Sequence, residues 1–229
     1  MITILMPIKN GIEFINESVQ SILAQTYTDW ELIIGINGHA EDSDVHNRAK
    51  PYANQSNQSK QIRVVVLPSV CTGKSAALNE MLTLCSPKSE WISLLDVDDK
   101  WLPTKLESQI PYMSTFDVIG TRCSYFGDST ITLRLPVGDI TTFNFLSDNP
   151  IINSSCLVRK ELCSWNTGSQ TQGIEDYDLW LRLWKQGCRF FNVEAILVLH
   201  RIHKESAFNS KGNHLLVDAL RQNTNNSVK

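Results

Sequence analysis

No stretch of this sequence approaches the ~20 consecutive apolar residues that a membrane-spanning helix needs, so no integral membrane segment is expected. The apolar opening, Met1 to Met6, meets Pro7, Lys9 and Glu13 before the hydrophobic region of a secretion signal is complete; it reads as a buried strand of a soluble, cytoplasmic protein. The six cysteines, Cys71, Cys85, Cys123, Cys156, Cys163 and Cys188, contain no C-x-x-C pair, which argues against a zinc site and for reduced, structural thiols. A basic stripe is also missing. The 21 Lys and Arg are dispersed among 24 Asp and Glu, and the net charge of -3 gives nucleic acid nothing to hold. There is no internal repeat, and the longest biased segment is the Asn/Gln/Ser patch Asn54 to Gln61.

What is present fits one domain, residues 1–222, with a flexible tail over 223–229; 42% hydrophobic and 20% charged residues are ordinary for a globular protein. Strand and helix signals alternate through residues 1–116, which predicts an α/β fold with a mostly parallel sheet. Ile2 to Met6 is the first strand. Asn10 and Glu13 have the spacing of a capping box before Ile12, Ile15, Val19, Ile22 and Leu23, which recur at helical period. Strands follow at Glu31 to Ile36, Ile62 to Leu67 and Trp91 to Leu95, with one helix in the polar region before Gln61, another over Ser75 to Leu84, and a third entered at Pro103 and reaching Met113. Residues 117–222 are less regular. They offer strands at Asp117 to Tyr125, Ile131 to Leu135, Asn153 to Val158 and Ala195 to Leu199, and a helix from Glu175 to Gln186 stopped by Gly187.

Four features carry chemistry. The apolar run Ile92 to Leu95 ends abruptly in Asp96, Asp98 and Asp99, and ligands of open α/β sheets bind beyond the carboxyl ends of strands. Crowded carboxylates repel, and Mg²⁺ or Mn²⁺ shared with phosphate oxygens relieves that repulsion; the alternative is a solvated acidic turn capping the next helix. Glu175, Asp176 and Asp178 open a helix, where the dipole favours acids, yet three in four positions exceed what capping needs and one can act as a general base. Gly73-Lys74-Ser75 follows a strand and opens a helix, a place to meet phosphate. With Leu94-Leu95-Asp96 it also suggests a P-loop NTPase or kinase, but that motif requires glycine where this chain has Pro68. His200, Arg201 and His203 after the last strand carry no meaning alone.

In combination these segments resemble family 2 glycosyltransferases from about Ile2 to Ser206. Thr3 to Asn10 is similar to that family's opening strand and turn, followed by Ser21 to Tyr27 and Trp30 to Ile34. Ser93 to Pro103 is similar to its L-D-x-D-D-x-W-x-P segment, Glu175 to Arg182 to its E-D-x-D-L-W-x-R helix, and Arg201-Ile202-His203 with Ser206 to its R-x-H-x-x-S ending. The resemblance implies a GT-A fold, with a Rossmann-like, mostly parallel central sheet, a nucleotide-sugar-binding half over 1–116 and an acceptor half over 117–222. It implies an inverting, Mn²⁺- or Mg²⁺-dependent transfer from a nucleotide-sugar, with UDP-sugar the preferred class, to a glycan, lipid-linked glycan or protein acceptor; oligomers are compatible with it. By position it implies Asp96 near the donor ribose, Asp98 as metal ligand, and Arg201 or His203 near the diphosphate and metal. Lys74 would meet donor phosphates or base, and Asp176 would be the base with Glu175 as competitor. Pro7 and Lys9 fall in the donor-binding turn. The chain departs from the pattern at Lys9, where tyrosine is usual, at Leu78, where arginine is common, and at Asn37, where an acid reads the base. Asn37 leaves the nucleotide open and supplies a second reading, a relative that binds nucleotide or glycan without turnover.

Overall fold

A computed structural model describes residues 1–56, 60–204 and 213–226. The opening apolar run is β1 (Ile2–Ile8), which lies between β2 (Trp30–Ile36) and β4 (Trp91–Leu94), parallel to both, while β3 (Lys60–Val66) extends the parallel block beyond β2. Alternation sends Ile2, Ile4, Met6 and Ile8 to one face of the sheet and Leu5 to the other. Both faces are covered, which is why these strands read as nearly continuous hydrophobic runs.

Helix α1 (Ile15–Leu23) closes the first face with Ile15, Val19 and Ile22; α3 (Gly73–Thr83) and α5 (Glu175–Lys185) close the second with Ala77, Leu78, Met81, Leu179, Trp180 and Leu183. Gly35 in the middle of β2 has a packing reason: a Cβ there would collide with the side chain of Met81 on α3. The polar segment before β3 holds α2 (Asp44–Ala49), capped by Ser43 through its hydroxyl and His46 N–H, followed by a 3₁₀ stretch over Lys50–Gln55.

Beyond β4 the sheet turns mixed. Its order is β3-β2-β1-β4-β8-β6-β9-β5, with β5 (Lys100–Trp101), β6 (Val118–Gly127), β8 (Leu157–Arg159) and β9 (Phe190–Ile202); β7 (Gly138–Asp139) pairs on β9. Strand β8 runs antiparallel to β4 and β6, whereas β6 and β9 are parallel and carry register shifts at Thr121/Arg122 and Arg122/Cys123. Such irregularities bend a strand. Here they precede the stretch of β9 that carries His200.

Several expectations need correction. The capping box at Asn10 and Glu13 does not form: Gly11, at φ 82°, leads into a 3₁₀ turn over Ile12–Phe14 that has no side-chain cap. Ile131 to Leu135 contributes only an isolated bridge, Ser124 to Thr132, and Asn153–Ser155 is a 3₁₀ turn ahead of β8. The helix expected from Pro103 is the short α4 (Lys105–Gln109), continued by a 3₁₀ turn over Ile110–Tyr112. Near the C-terminus α6 (Asn213–Asn226) was not anticipated and carries helix into the segment read as a tail; Ser206 lies outside the described residues. Among the described residues no helix is long and apolar enough to cross a membrane.

Candidate active site

The segments after β1, β2 and β4 converge at the carboxyl edge of the parallel block, where strand order reverses between β1 and β4. They line a cleft of about 280 Å³ whose walls include Pro7, Lys9, Asn37, Lys74, Asp96, Asp98, His200 and His203. A second, larger cavity of about 1040 Å³ shares Lys9, Lys74, Asp96 and His200 with the cleft and continues to Glu175 and Asp176. All of the sequence-predicted site residues except Arg201 line one or both cavities.

The three acids after β4 have three separate environments. Asp96 Oδ1 accepts from Lys74 Nζ at 2.5 Å, its Oδ2 accepts from Asn153 Nδ2 at 3.0 Å, and its N–H donates to Ser154 Oγ at 3.1 Å. Burial opposes the charge on both partners, yet their attraction prevails: the Asp96 carboxyl is held below the usual range and the Lys74 ammonium above its own. Asp99 is fully buried. Its carboxylate accepts from Ser154 Oγ (2.5 Å), His200 Nδ1 (3.0 Å) and the Arg201 N–H (2.9 Å), so it serves the interior of the loop. Burial disfavours a charged His200, but Asp99 lifts its pKa to about 9.

Asp98 faces His203, with Oδ2 and Nε2 3.0 Å apart. Burial, then repulsion from Asp99 and Asp96, pushes the Asp98 carboxyl up. A bound cation removes that penalty, and one carboxylate with one imidazole suits Mn²⁺ or Mg²⁺ that completes its shell with diphosphate oxygens and water. Among the described residues no set of three His, Cys, Asp or Glu side chains is arranged for a metal, so the protein alone offers this pair.

Helix α5 sorts its acids in the same way. Asp178 is buried and accepts from Arg182 Nε at 2.9 Å, a bond within the helix. Glu175 and Asp176 instead face the larger cavity. Asp176 is half-buried, accepts from Asn149 Nδ2 at 3.3 Å, and is pushed up to about 6 chiefly by desolvation. A carboxylate poised there can take a proton near neutral pH.

Arg201 lines neither cavity, whereas His203, the other residue expected near the diphosphate, lines the cleft. Its guanidinium lies between the rings of Phe14 (4.3 Å) and Phe126 (4.2 Å), bonds Glu17 at 2.8 Å and, through Nε, the Asp98 carbonyl at 3.0 Å. It braces the loop that carries Asp98. Sequence reasoning passed over Asn149, Asn153, Ser154 and His200 as site residues; only His200 carried a visible signal, its place beside Arg201 and His203. Asn37 donates from Nδ2 to the Gly73 carbonyl at 3.1 Å, leaving its buried Oδ1 without a partner among the described residues.

A sheet with its acids at this edge, a lysine between them and a second cavity beside it define a glycosyltransferase of the GT-A fold. S. aureus TarS, solved with UDP-GlcNAc, superposes with a TM-score of 0.75 at 12% identity over 97% of this chain and 66% of that one, somewhat less than two thirds of its length. A mannosyltransferase from Pyrobaculum calidifontis, solved with GDP-Man and Mn²⁺, gives 0.67 at 14% identity over 90% and 58%. The chain belongs to glycosyl transferase family 2, whose model matches residues 3–157. It is 30% identical to the O-antigen biosynthesis glycosyltransferase WbnJ of Escherichia coli over 90% of this chain and 81% of that protein. It is 26% identical, over 94% and 83%, to the Escherichia coli UDP-Glc:alpha-D-GlcNAc-diphosphoundecaprenol beta-1,3-glucosyltransferase WfaP. Family membership replaces the P-loop reading of Gly73-Lys74-Ser75.

Proposed function

We propose that this glycosyltransferase is inverting and divalent-metal-dependent, and that it transfers a sugar from a UDP-sugar to an acceptor hydroxyl of a glycan, lipid-linked glycan or protein. The observation that carries this reading is the division of the site: Asp98 and His203 lie in the cleft, Asp176 lies in the larger cavity, and Lys74 with Asp96 forms part of both walls. A direct displacement needs that layout, with the leaving group on one side and the base on the other.

In the step, Asp176 takes the proton of the acceptor hydroxyl as its oxygen bonds to the anomeric carbon. The bond from that carbon to the diphosphate oxygen breaks, and the electron pair leaves with the nucleoside diphosphate; one displacement inverts the anomeric centre. Lys74 holds a positive charge where the leaving diphosphate develops its own. Asp98 and His203 would hold Mn²⁺ or Mg²⁺, which when bound neutralises charge on the departing group. The free acceptor on Asn37 matches the imide N–H of uracil. UDP-sugars are also named for two of the similar proteins.

A panel of UDP-, GDP- and CDP-sugars with Mn²⁺, read by thermal shift and then by release of nucleoside diphosphate, tests the reading. Donor at ~100 times its Kd adds ~2.7 kcal/mol of stability. UDP-sugar binding with UDP release supports the proposal, whereas binding with no release at high protein concentration supports the non-catalytic reading that Asn37 raised. Preference for another nucleotide overturns the donor assignment.

A further inference from the structure

His200 sits near the end of β9, where the ladder with β6 pairs it with Tyr125 and sets the two rings 5.5 Å apart. The fully buried Asp99 carboxylate can only accept, so Nδ1 of His200, 3.0 Å from Asp99 Oδ2, carries a proton. Ser154 and the Arg201 N–H hold that carboxylate in turn, which fixes the tautomer and the direction of the imidazole. Its other nitrogen, Nε2, has no partner among the described residues and is not buried. The side chain keeps 22% exposure although Nδ1 rests on a buried group, so the Nε2 edge is the one turned to the cavities.

Among the described residues, four side chains line both the cleft and the larger cavity: Lys9, Lys74, Asp96 and His200. Lys74 and Asp96 occupy each other, and Lys9 carries its ammonium on a long, rotatable stem. His200 offers a donor whose aim is fixed before any ligand arrives. On the transferase reading the bond that breaks lies at this junction, with the diphosphate in the cleft and the acceptor in the larger cavity. Burial opposes a charge on His200, yet Asp99 lifts its pKa to about 9, and at neutral pH Nε2 bears a proton as well.

We propose that His200 is a catalytic residue of the transfer, donating a hydrogen bond from Nε2 to the oxygen of the nucleoside diphosphate that leaves the anomeric carbon. As that carbon–oxygen bond breaks, the electron pair stays on the oxygen and the proton stays on His200. The hydrogen bond strengthens as charge builds on its acceptor, so it favours the transition state over the bound donor. This rests on the transferase reading and adds to Lys74 a second, rigidly held donor for the leaving group.

The test uses three ligands that differ at the oxygen concerned. It bridges to carbon in a UDP-sugar, is free and charged in UDP, and is absent from UMP. Binding of UMP, UDP and the UDP-sugar that binds best in the panel above is measured without acceptor, with and without Mn²⁺. In His200→Asn the amide takes the place of Nδ1 and keeps a donor for Asp99, but the nitrogen facing the cavities is gone. UDP should weaken by about tenfold, UMP and the UDP-sugar by less than about threefold, and kcat should fall by ~10²-fold. His200→Gln instead places a neutral N–H near the position of Nε2 and should recover part of the UDP affinity. It also carries the test if His200→Asn fails to fold, with UDP weakened more than the UDP-sugar and UMP retained. Equal losses for UDP and the UDP-sugar would put His200 on a different oxygen. Equal losses for all three would make it a structural member of the loop, and losses seen only with Mn²⁺ would make it a metal ligand. Each of these, like unchanged UDP affinity, overturns this proposal and leaves the transferase reading standing. Failure of the parent to bind UDP overturns the UDP-transferase reading and this proposal with it.

Discussion

Lys74 and Asp96 meet at 2.5 Å across the junction of the two cavities, joining the start of α3 to the end of β4. Gly73, at φ 87°, makes the turn that starts α3, and the carboxyl edge of β4 presents the acid, so the pair is a product of two strand ends and one left-handed residue. In the free protein Lys74 neutralises Asp96; on the proposed reading an arriving diphosphate would compete for the same ammonium and free Asp96 for a donor hydroxyl.

Lys74→Gln is therefore expected to weaken UDP binding by about tenfold or more, read by calorimetry. Both side chains are largely withdrawn from solvent, at 32% and 24% exposure, so Lys74→Gln leaves the Asp96 carboxylate without its cation and should also lower stability. Unchanged UDP affinity would reduce Lys74 to a structural partner of Asp96.

Asp98→Asn and chelation should act alike. The Asp98 carboxyl is raised in the folded protein, so above the ordinary aspartate range the folded state bears a charge it disfavours relative to the unfolded chain. The variant removes that penalty: metal-free Asp98→Asn should melt no lower than the parent at pH 7, yet show no further rise when Mn²⁺ is added with UDP. A parental response to Mn²⁺ in the variant would move the metal elsewhere.

The parallel block was legible because β1 and β4 are buried on both faces and so stand out as apolar runs ending at Pro7 and Asp96. The division of labour after β4 was not, since Asp98 and Asp99 are chemically identical and only packing against Ser154 and His200 turns Asp99 inward. Asn153 and Ser154 hid in a segment that reads as the start of a strand but forms a 3₁₀ turn aimed at Asp96. The contacts of Arg201 were not legible because its aromatic partners, Phe14 and Phe126, come from distant parts of the chain. Helix α6 is largely polar with scattered aliphatics, and a face directed into a cavity leaves no core-like periodicity to read.

Lys105 gives a stability prediction beneath the site. Its fully buried Nζ donates to Ser93 Oγ (2.7 Å) and the Cys156 carbonyl (3.3 Å) and lies 3.9 Å from the centre of the Trp101 ring. Burial lowers its pKa to about 7 from 10.5. Between those values the folded state holds fewer protons than the unfolded one, so this group adds stability as pH rises from 7 toward 10 and withdraws it as pH falls. His200, raised to about 9, works in the opposite sense, losing its contribution as pH climbs through that value. Comparing the parent with Lys105→Met isolates the lysine: in urea melts the parent should gain on the variant between pH 7 and 9.5, at up to ~1.4 kcal/mol for each pH unit. A constant gap would mean that Lys105 stays charged, held by Ser93 and the Trp101 ring.

Asp176 separates chemistry from binding. If it takes the acceptor proton, its ionised form is the active one, and kcat/KM should rise with pH through about 6 before levelling off. Asp176→Asn should bind UDP with parental affinity while turnover falls by ~10² to 10⁴-fold, the scale of lost general-base catalysis. Stability supplies an independent check. A carboxyl raised toward 6 loses stability for the fold as pH climbs from the ordinary aspartate value through 6, so the amide should leave the melting temperature at pH 7 unchanged or higher. An acid that merely caps α5 predicts the reverse, a fall in melting temperature with turnover retained. Glu175 shares the cavity and is the control: neighbours on a helix point about 100° apart, so Glu175→Gln and Asp176→Asn should give unequal losses. Parental turnover in both variants, with donor and acceptor in hand, would leave the reaction without the base assigned to it.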